Sequence, residues 1–331
     1  VNAALPFTSP FLLAPMEGVT EPCFRDLVLA RNDPGALGGA FTEFVRVSSA
    51  PVPIAVVRRH LGPSRFPQPV GVQLMGNDVG RLARTAENAV AAGAPLVDLN
   101  FGCPSKGALA GCAGSALLRD PLALEKVVRA VVDAVRVPVT AKIRAGWDDA
   151  SRVEELARAA ESGGAALLTV HCRTRAEGYC DHVDWTRIAR AVRAVSIPVC
   201  GNGGITHPED LARMQDATGA RFAMVGRGAL ADPWIFSGRR VERAEAVEFL
   251  LDYADAMRAR TGVTHRRVAA RIKQLLRYWT AGGLIPDETC RTRWLRSADP
   301  EGLLRGTDQG RGVRRCARAQ TVEEPIAPDV S

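Results

Sequence analysis

Cys103 stands in Asn100-Phe-Gly-Cys-Pro-Ser-Lys106, directly after the apolar run Leu96-Val-Asp-Leu99. A thiol just past the end of a strand suits proton transfer. A free cysteine has a pKa of about 8.5, stays mostly protonated near neutral pH and can serve as a general acid without a large shift. Pro104 stiffens the segment by fixing its own φ. Taken alone, Cys103 is better explained as a small buried side chain plugging the top of a barrel. Gly201-Asn-Gly-Gly204 and Gly226-Arg-Gly228 leave backbone amides open to an anion, and Arg227 can add a charge-assisted contact. Each glycine cluster by itself is an ordinary turn. Together they favour a phosphorylated ligand, and flavin mononucleotide (FMN) fits best. Gln73 can pair its amide with an isoalloxazine edge, and Lys142 can stabilise negative charge on a reduced ring. His171, Cys172, Cys180 and His182 lack the spacing of a zinc site, so no metal is expected.

These residues need elements that bring them together. Eight short apolar runs recur, at 11–15, 40–44, 70–74, 96–99, 139–143, 166–170, 197–200 and 222–225. Helical periodicity separates most of them, as at 81–92, 122–135, 152–162 and 208–218. Strands alternating with helices imply parallel pairing, and eight such units suggest a closed (β/α)8 TIM barrel, with an open doubly wound sheet as the competing arrangement. The polar residues then fall at one kind of place. Pro15, Met16 and Glu17 follow the first strand, Glu43 closes the second, Gln73 lies late in the third and Asn100 ends the fourth. Lys142 lies late in the fifth, His171 follows the sixth, Asn202, Gly203 and Gly204 follow the seventh, and Gly226 and Arg227 follow the eighth. That is the face on which barrel enzymes assemble their sites, although any one of these residues alone could be a cap or an ion pair.

The 331 residues, 47% hydrophobic and 24% charged, can bury one large domain and a smaller one. No run reaches the length of a membrane span, and Val1-Asn2-Ala3-Ala4-Leu5-Pro6 lacks the features of a signal peptide, so a cytoplasmic protein is expected. The eight scattered cysteines are expected to be reduced. Residues 239–318 carry 18 Lys and Arg against 10 Asp and Glu, whereas residues 1–238 carry 25 against 23. A basic C-terminal third suggests a polyanionic partner, with an arginine-rich composition as the plainer account.

The motif series as a whole resembles the tRNA-dihydrouridine synthases. It comprises Leu-Ala-Pro-Met-Glu-Gly-Val-Thr (13–20), Val-Gln-Leu-Met-Gly (72–76), Asp-Leu-Asn-Phe-Gly-Cys-Pro-Ser-Lys (98–106), Ala-Lys-Ile-Arg (141–144), His-Cys-Arg-Thr-Arg (171–175), Gly-Asn-Gly-Gly-Ile (201–205) and Val-Gly-Arg-Gly-Ala (225–229). The resemblance implies an FMN-dependent barrel, a helical C-terminal domain that holds tRNA, and NADPH (or NADH) as reductant. Thr42-Glu-Phe-Val-Arg-Val47 and Ala270-Arg-Ile-Lys-Gln274 are similar to the bacterial C-type branch, which implies uridine 16 as the target. Reduction of the uracil C5–C6 bond needs a hydride at C6 and a proton at C5. Cys103 is the expected proton donor, standing across the base from the flavin.

The resemblance assigns Pro15, Met16, Glu17, Gln73, Lys142, His171, Asn202, Gly203, Gly204, Gly226 and Arg227 to the cofactor. Asn100 is expected on the target base, Arg144 and Arg173 on substrate phosphates or in surface ion pairs, and Tyr179 either stacked near the base or simply exposed or half-buried. Many relatives carry an acid where Gly204 stands, so the backbone must suffice there. Expected domains are a barrel over 1–238, a basic helical tRNA-binding domain over 239–316 and a disordered tail over 317–331. Helices are expected over 241–260 and 264–279, the second offering Arg271, Lys273 and Gln274 to tRNA; periodicity fades beyond about Asp299. A monomer without an obligate protein partner is expected. The rival function is an FMN-dependent barrel dehydrogenase of a free pyrimidine or dihydroorotate, which would not need the basic helices. A non-catalytic tRNA binder would need the basic helices but not Cys103, Gln73 and Lys142 together.

Overall fold

Parallel strands and helices alternate through the larger part of the chain. In this computed structural model, which describes residues 4–63 and 65–308, the strands are β1 (Phe11–Leu13), β2 (Gly39–Phe41), β3 (Val45–Arg46), β4 (Val70–Met75), β5 (Val97–Phe101), β6 (Val139–Arg144), β7 (Leu167–His171), β8 (Val199–Asn202) and β9 (Phe222–Val225). β1 pairs with both β2 and β9, and β2 and β3 both pair with β4, so the sheet closes on itself. This is a (β/α)8 barrel in which β2 and β3 together make one strand; the closure rules out the open sheet.

The break in that second strand differs from the continuous run expected over 40–44. Phe41 lies opposite Gly71 and Val45 opposite Leu74, so four steps on one side face three on the other. That is a bulge, and Glu43 lies within it rather than at a strand end. Three other strands run further than their apolar runs indicate: Asn100 is inside β5, and His171 and Asn202 are the last residues of β7 and β8.

The helices begin where local chemistry supplies a cap. Asp120 Oδ1 accepts from the amides of Leu122 and Ala123 at the start of Pro121–Ala134, with Pro121 in the first turn, and Asp78 accepts from Arg81 N ahead of Val79–Ala91. Inside the barrel, alternate residues of each strand point inward. Near the strand starts these are apolar: Leu12, Phe41, Leu96, Leu167 and Phe222 cluster, with Leu5 and Phe7 packed against them. Phe7 lies 6.0 Å from the Phe41 ring and 5.7 Å from Phe222. Near the strand ends the inward residues become polar, and there the candidate site begins.

The chain divides into two compact units. One comprises residues up to Ala229 with Pro233–Arg239, and the other Leu230–Asp232 with the residues from Arg240 onward. The second contains helices Arg243–Arg258, His265–Leu276, Glu288–Arg296 and Pro300–Asp308. Its core includes Phe249, Leu250, Trp279, Trp294 and Leu304, and Arg291 Nη1 donates to the carbonyls of Leu276 and Arg277. The last helix lies where periodicity was expected to fade: Leu304 is its one fully buried apolar anchor, too little to make a pattern, and Arg258 forms an ion pair with Glu301. The expected tail at 317–331 lies outside the described residues. Among the described residues no helix is long and apolar enough to cross a membrane.

Candidate active site

The barrel mouth holds a hydrogen-bonded chain that begins at a residue sequence reasoning passed over. Asp98 is 2% exposed and inward-facing on β5. Its Oδ1 accepts from Thr140 Oγ1 at 2.5 Å and its Oδ2 from Gln73 Nε2 at 2.6 Å. Gln73 Oε1 in turn accepts from Asn100 Nδ2 at 2.8 Å, and Asn100 Oδ1 accepts from the amides of Gly102 and Cys103, each at 2.9 Å. Asn100 therefore shapes the turn that carries Cys103, beyond the base contact expected of it. Burial pushes the Asp98 carboxyl up to about 6, although the Thr140 and Gln73 hydrogen bonds and the Lys142 charge oppose the rise. One signal was available in the sequence: an acid two residues before Asn100 inside a buried strand shares its face.

Cys103 is half-buried, packed against Met75, Ala108 and Ala113, and its thiol donates to Ser105 Oγ at 3.3 Å. Ser105 caps the short helix Lys106–Ala110 by accepting from Ala108 N. Beside this loop, Lys142 Nζ donates to Asn202 Oδ1 at 2.9 Å while Asn202 Nδ2 donates to the Met224 carbonyl at 2.8 Å, fixing that amide from both sides. Burial, then the charge of Arg144, brings the Lys142 ammonium down to about 8. His171 accepts at Nδ1 from Arg173 N at 3.3 Å, which leaves the ring proton of the neutral imidazole on Nε2. Burial and the nearby Lys142, Arg144 and Arg173 charges hold its pKa well below the ordinary range, so it is neutral near pH 7.

The glycine loops are close-packed. Gly203 has φ +106°, and a Cβ there would lie 2.8 Å from Cys172 Sγ, 3.4 Å from His171 Nε2 and 3.5 Å from Arg173 Nη1. Gly204 has φ +78°, and a Cβ would meet the Val183 side chain at 2.6 Å, so any other residue there would be strained and crowded. A Cβ on Gly226 would sit 3.6 Å from Met16 Sδ, which brings the first and last barrel loops together. Met16 is held by Thr20, whose Oγ1 accepts from Met16 N and donates to its carbonyl. Pro15 is half-buried beside it, and Glu17 is exposed.

The two arginines expected on the substrate have different surroundings. Arg144 is 3% exposed. Its Nε donates to the Gly102 carbonyl at 2.9 Å, and its Nη1 donates to those of Thr174 (3.0 Å) and Gly178 (2.8 Å). It ties the Cys103 loop to the loop after β7 through Nε and Nη1, a structural role beside the substrate contact expected of it. Arg173 is equally buried, and among the described residues its Nε and Nη1 have no hydrogen-bond partner. Tyr179 is 60% exposed, with Arg144 Cζ 5.0 Å and Arg227 Cζ 5.2 Å from its ring centroid and His171 edge-on at 6.3 Å. Glu177, also missed, holds this loop by pairing with Arg187 at 2.6 Å and accepting from Thr174 N. In the second unit, Arg271 and Lys273 are half-buried on helix His265–Leu276, and Arg271 Nη1 donates to Gln274 Oε1.

Comparison with known proteins agrees with this arrangement. The family model described as dihydrouridine synthase (Dus) matches residues 12–278. A tRNA-dihydrouridine(16) synthase of Ralstonia nicotianae is 36% identical over 298 residues, covering 84% of this chain and 90% of the relative. Another from Haemophilus influenzae is 38% identical, covering 81% and 89%. A tRNA-dihydrouridine synthase B of Pseudomonas putida is 41% identical, covering 68% and 66%. A match that runs from β1 past helix His265–Leu276, with relatives of this identity aligned along most of their length, means that the chain belongs to the dihydrouridine synthase family.

Proposed function

We propose that this protein reduces a uridine in the D-loop of tRNA, uridine 16, to 5,6-dihydrouridine, with FMN as its cofactor and NADPH or NADH as the electron donor. The observation that carries the proposal is the hydrogen-bonded chain joining Gln73, on the inner face of the mouth, to the Cys103 turn, in a member of this family. The residues present fit a phosphorylated flavin. Arg173 offers two buried guanidinium nitrogens without a partner among the described residues, beside Gly203, where a Cβ would stand 3.5 Å from Nη1. Gly204, Gly226 and Arg227 would complete the phosphate end, and Pro15, Met16, Gln73, Lys142, His171 and Asn202 would line the ring. Bound there, FMN would supply the hydride chemistry that the C5–C6 bond of uracil needs.

The chain's own residues do the rest. Cys103 delivers the proton to C5 from its Sγ, held in a turn whose backbone is fixed by Asn100 and whose carbonyl side is held by Arg144. Neutral His171, with its proton on Nε2, can donate to a carbonyl, and the remaining Nδ2 hydrogen of Asn100 can meet the base edge. Tyr179 offers an exposed ring on which a base extracted from its stack can rest. The basic helices of the second unit would grip the tRNA backbone, the feature that separates this reading from a free-pyrimidine dehydrogenase.

The test is mass-spectrometric mapping of unmodified tRNA incubated with protein, FMN and NADPH. A gain of two hydrogens at uridine 16 is expected; reduction of free pyrimidines with no change in any tRNA would overturn the reading. The Cys103→Ala variant should keep its flavin and lose about a hundredfold or more in turnover, the usual worth of a general acid, and full turnover would remove the thiol from the mechanism.

A further inference from the structure

Asp98 reaches Cys103 through two amides, and the direction of every bond between them is fixed by chemistry rather than by choice. A carboxylate accepts hydrogen bonds and cannot donate, so the Gln73 atom 2.6 Å from Asp98 Oδ2 is nitrogen. That turns Gln73 Oε1 toward Asn100, so Asn100 presents its NH2 there and its Oδ1 to the opposite side. From the other end, peptide N–H groups donate and cannot accept, so the Asn100 atom that meets Gly102 N and Cys103 N is oxygen. The two ends assign the amides independently, and they agree. If Gln73 turned over, either it would face Asn100 donor to donor, or Asn100 would turn in response and face two backbone N–H groups with its own.

We propose that Asp98 is a positioning residue for Cys103, setting the orientation of Gln73 and Asn100 so that an oxygen, and not an amide NH2, receives the backbone of the Cys103 turn. This rests on Cys103 being the working thiol of the proposed function. The carboxylate sits buried at the barrel centre, 2% exposed and accepting from both Thr140 and Gln73; an apolar residue there would leave the Gln73 NH2 without its buried acceptor and the two amides held from the Cys103 end alone. Asparagine, by contrast, can keep the direction: its Oδ1 accepts from Gln73 Nε2 while its Nδ2 donates to Thr140 Oγ1, a hydroxyl able to accept as well as donate.

The experiment measures the iodoacetamide alkylation rate of Cys103 in the full-length protein, read peptide by peptide so that other cysteines do not interfere. Asp98→Leu should raise the rate about tenfold, the factor that one or two lost hydrogen bonds are worth. Asp98→Asn should stay within about twofold of the parent, less than the loss of one hydrogen bond would give. Asn100→Ala should match Asp98→Leu, and the double variant should add little, because both cut one chain. An unchanged rate in Asp98→Leu overturns the proposal, as does an Asp98→Asn protein as reactive as Asp98→Leu, which would mean that the charge matters and the bond direction does not. If Asp98→Leu does not fold, Gln73→Leu cuts the same chain at its middle; a parent-like rate there, with a raised rate in Asn100→Ala, would show that the chain ends at Asn100. No tRNA enters this assay, so its outcome stands apart from whether the protein reduces a uridine.

Discussion

Arg144→Ala should destabilise the protein and slow its reaction without changing how tRNA binding responds to salt. The guanidinium donates to three backbone carbonyls, Gly102 at 2.9 Å, Thr174 at 3.0 Å and Gly178 at 2.8 Å. Hydrogen bonds from a charged donor are worth about 1.5–3 kcal/mol each. Two corrections reduce the sum. Burial already lowers the Arg144 pKa, which means that the charge is held at a cost, and water can reach part of the carbonyl set once the side chain is gone. A net loss of about 3 kcal/mol remains, within the range for breaking a buried polar network.

Urea unfolding at fixed ionic strength measures that loss, and a midpoint shift at constant m-value is expected. The same variant should lose turnover, since Gly102 precedes Cys103 and the thiol's turn is released on one side. Lysine at this position should recover little, because its one nitrogen cannot reach carbonyls that Arg144 meets from two separate nitrogens of a planar fork. tRNA affinity measured across a salt series separates this account from a phosphate contact. A lost phosphate contact lowers the salt slope by about 0.7–0.9. An unchanged unfolding midpoint together with such a slope change would refute the reasoning and return Arg144 to the substrate.

Gly203→Ala forces a side chain into φ +106° against Cys172 Sγ, so a stability loss of about 2–4 kcal/mol from strain and overpacking is expected by calorimetry, together with weaker FMN binding in a fluorescence titration of the apoprotein. Glu177 is held down at about 2, mainly by its hydrogen bonds from Arg187. Because the folded pKa lies below the unfolded one, its stabilisation is complete above about pH 4.5 and is lost as pH falls toward 2; with its side chain about a quarter exposed, about 2 kcal/mol is expected at pH 7. Glu177→Gln should therefore be less stable than the parent at pH 7 and converge on it near pH 2–3, and a gap that persists in acid would show that the carboxylate's charge is not the cause. Arg271→Ala and Lys273→Ala should each weaken tRNA binding and lower its salt slope by about 0.7–0.9, as measured by filter binding at several salt concentrations.

The barrel was legible because its signal is repeated: strand and helix periods alternate so often that errors of one or two residues at strand ends do not disturb the count. Those errors had a physical cause. Strand ends were placed where apolar residues stop, but the inward face of β5, β7 and β8 turns polar before the backbone leaves the sheet, so Asn100 was taken as the end of a strand that runs past it, and His171 and Asn202 were set outside strands that contain them. The bulge at Glu43 left no such trace, because one extra residue on one strand shows only against the register of its partner. The final helix was missed because its burial rests on Pro300 at its start and Leu304, too few positions to show a period.

The site was legible as a set of residue types and much less so as a set of partners. Arg144 and Arg173 look alike in sequence, each following a strand in a basic motif, yet one has its donors on three carbonyls and the other retains buried nitrogens beside Gly203. What separates them is which loop lies opposite, and only the closed barrel decides that. Asp98 makes the same point from inside the strand. Its parity with Asn100 was visible, but its hold on Cys103 depends on Gln73 being opposite it across β4 and β5, a register that joins residues 25 positions apart. A variant that shifts this register while keeping every side chain, such as a one-residue insertion in the loop between β4 and β5 that propagates into the strand, would keep every motif and lose the chain of bonds. The chemistry of this mouth is carried by the pairing of its strands as much as by the residues on them.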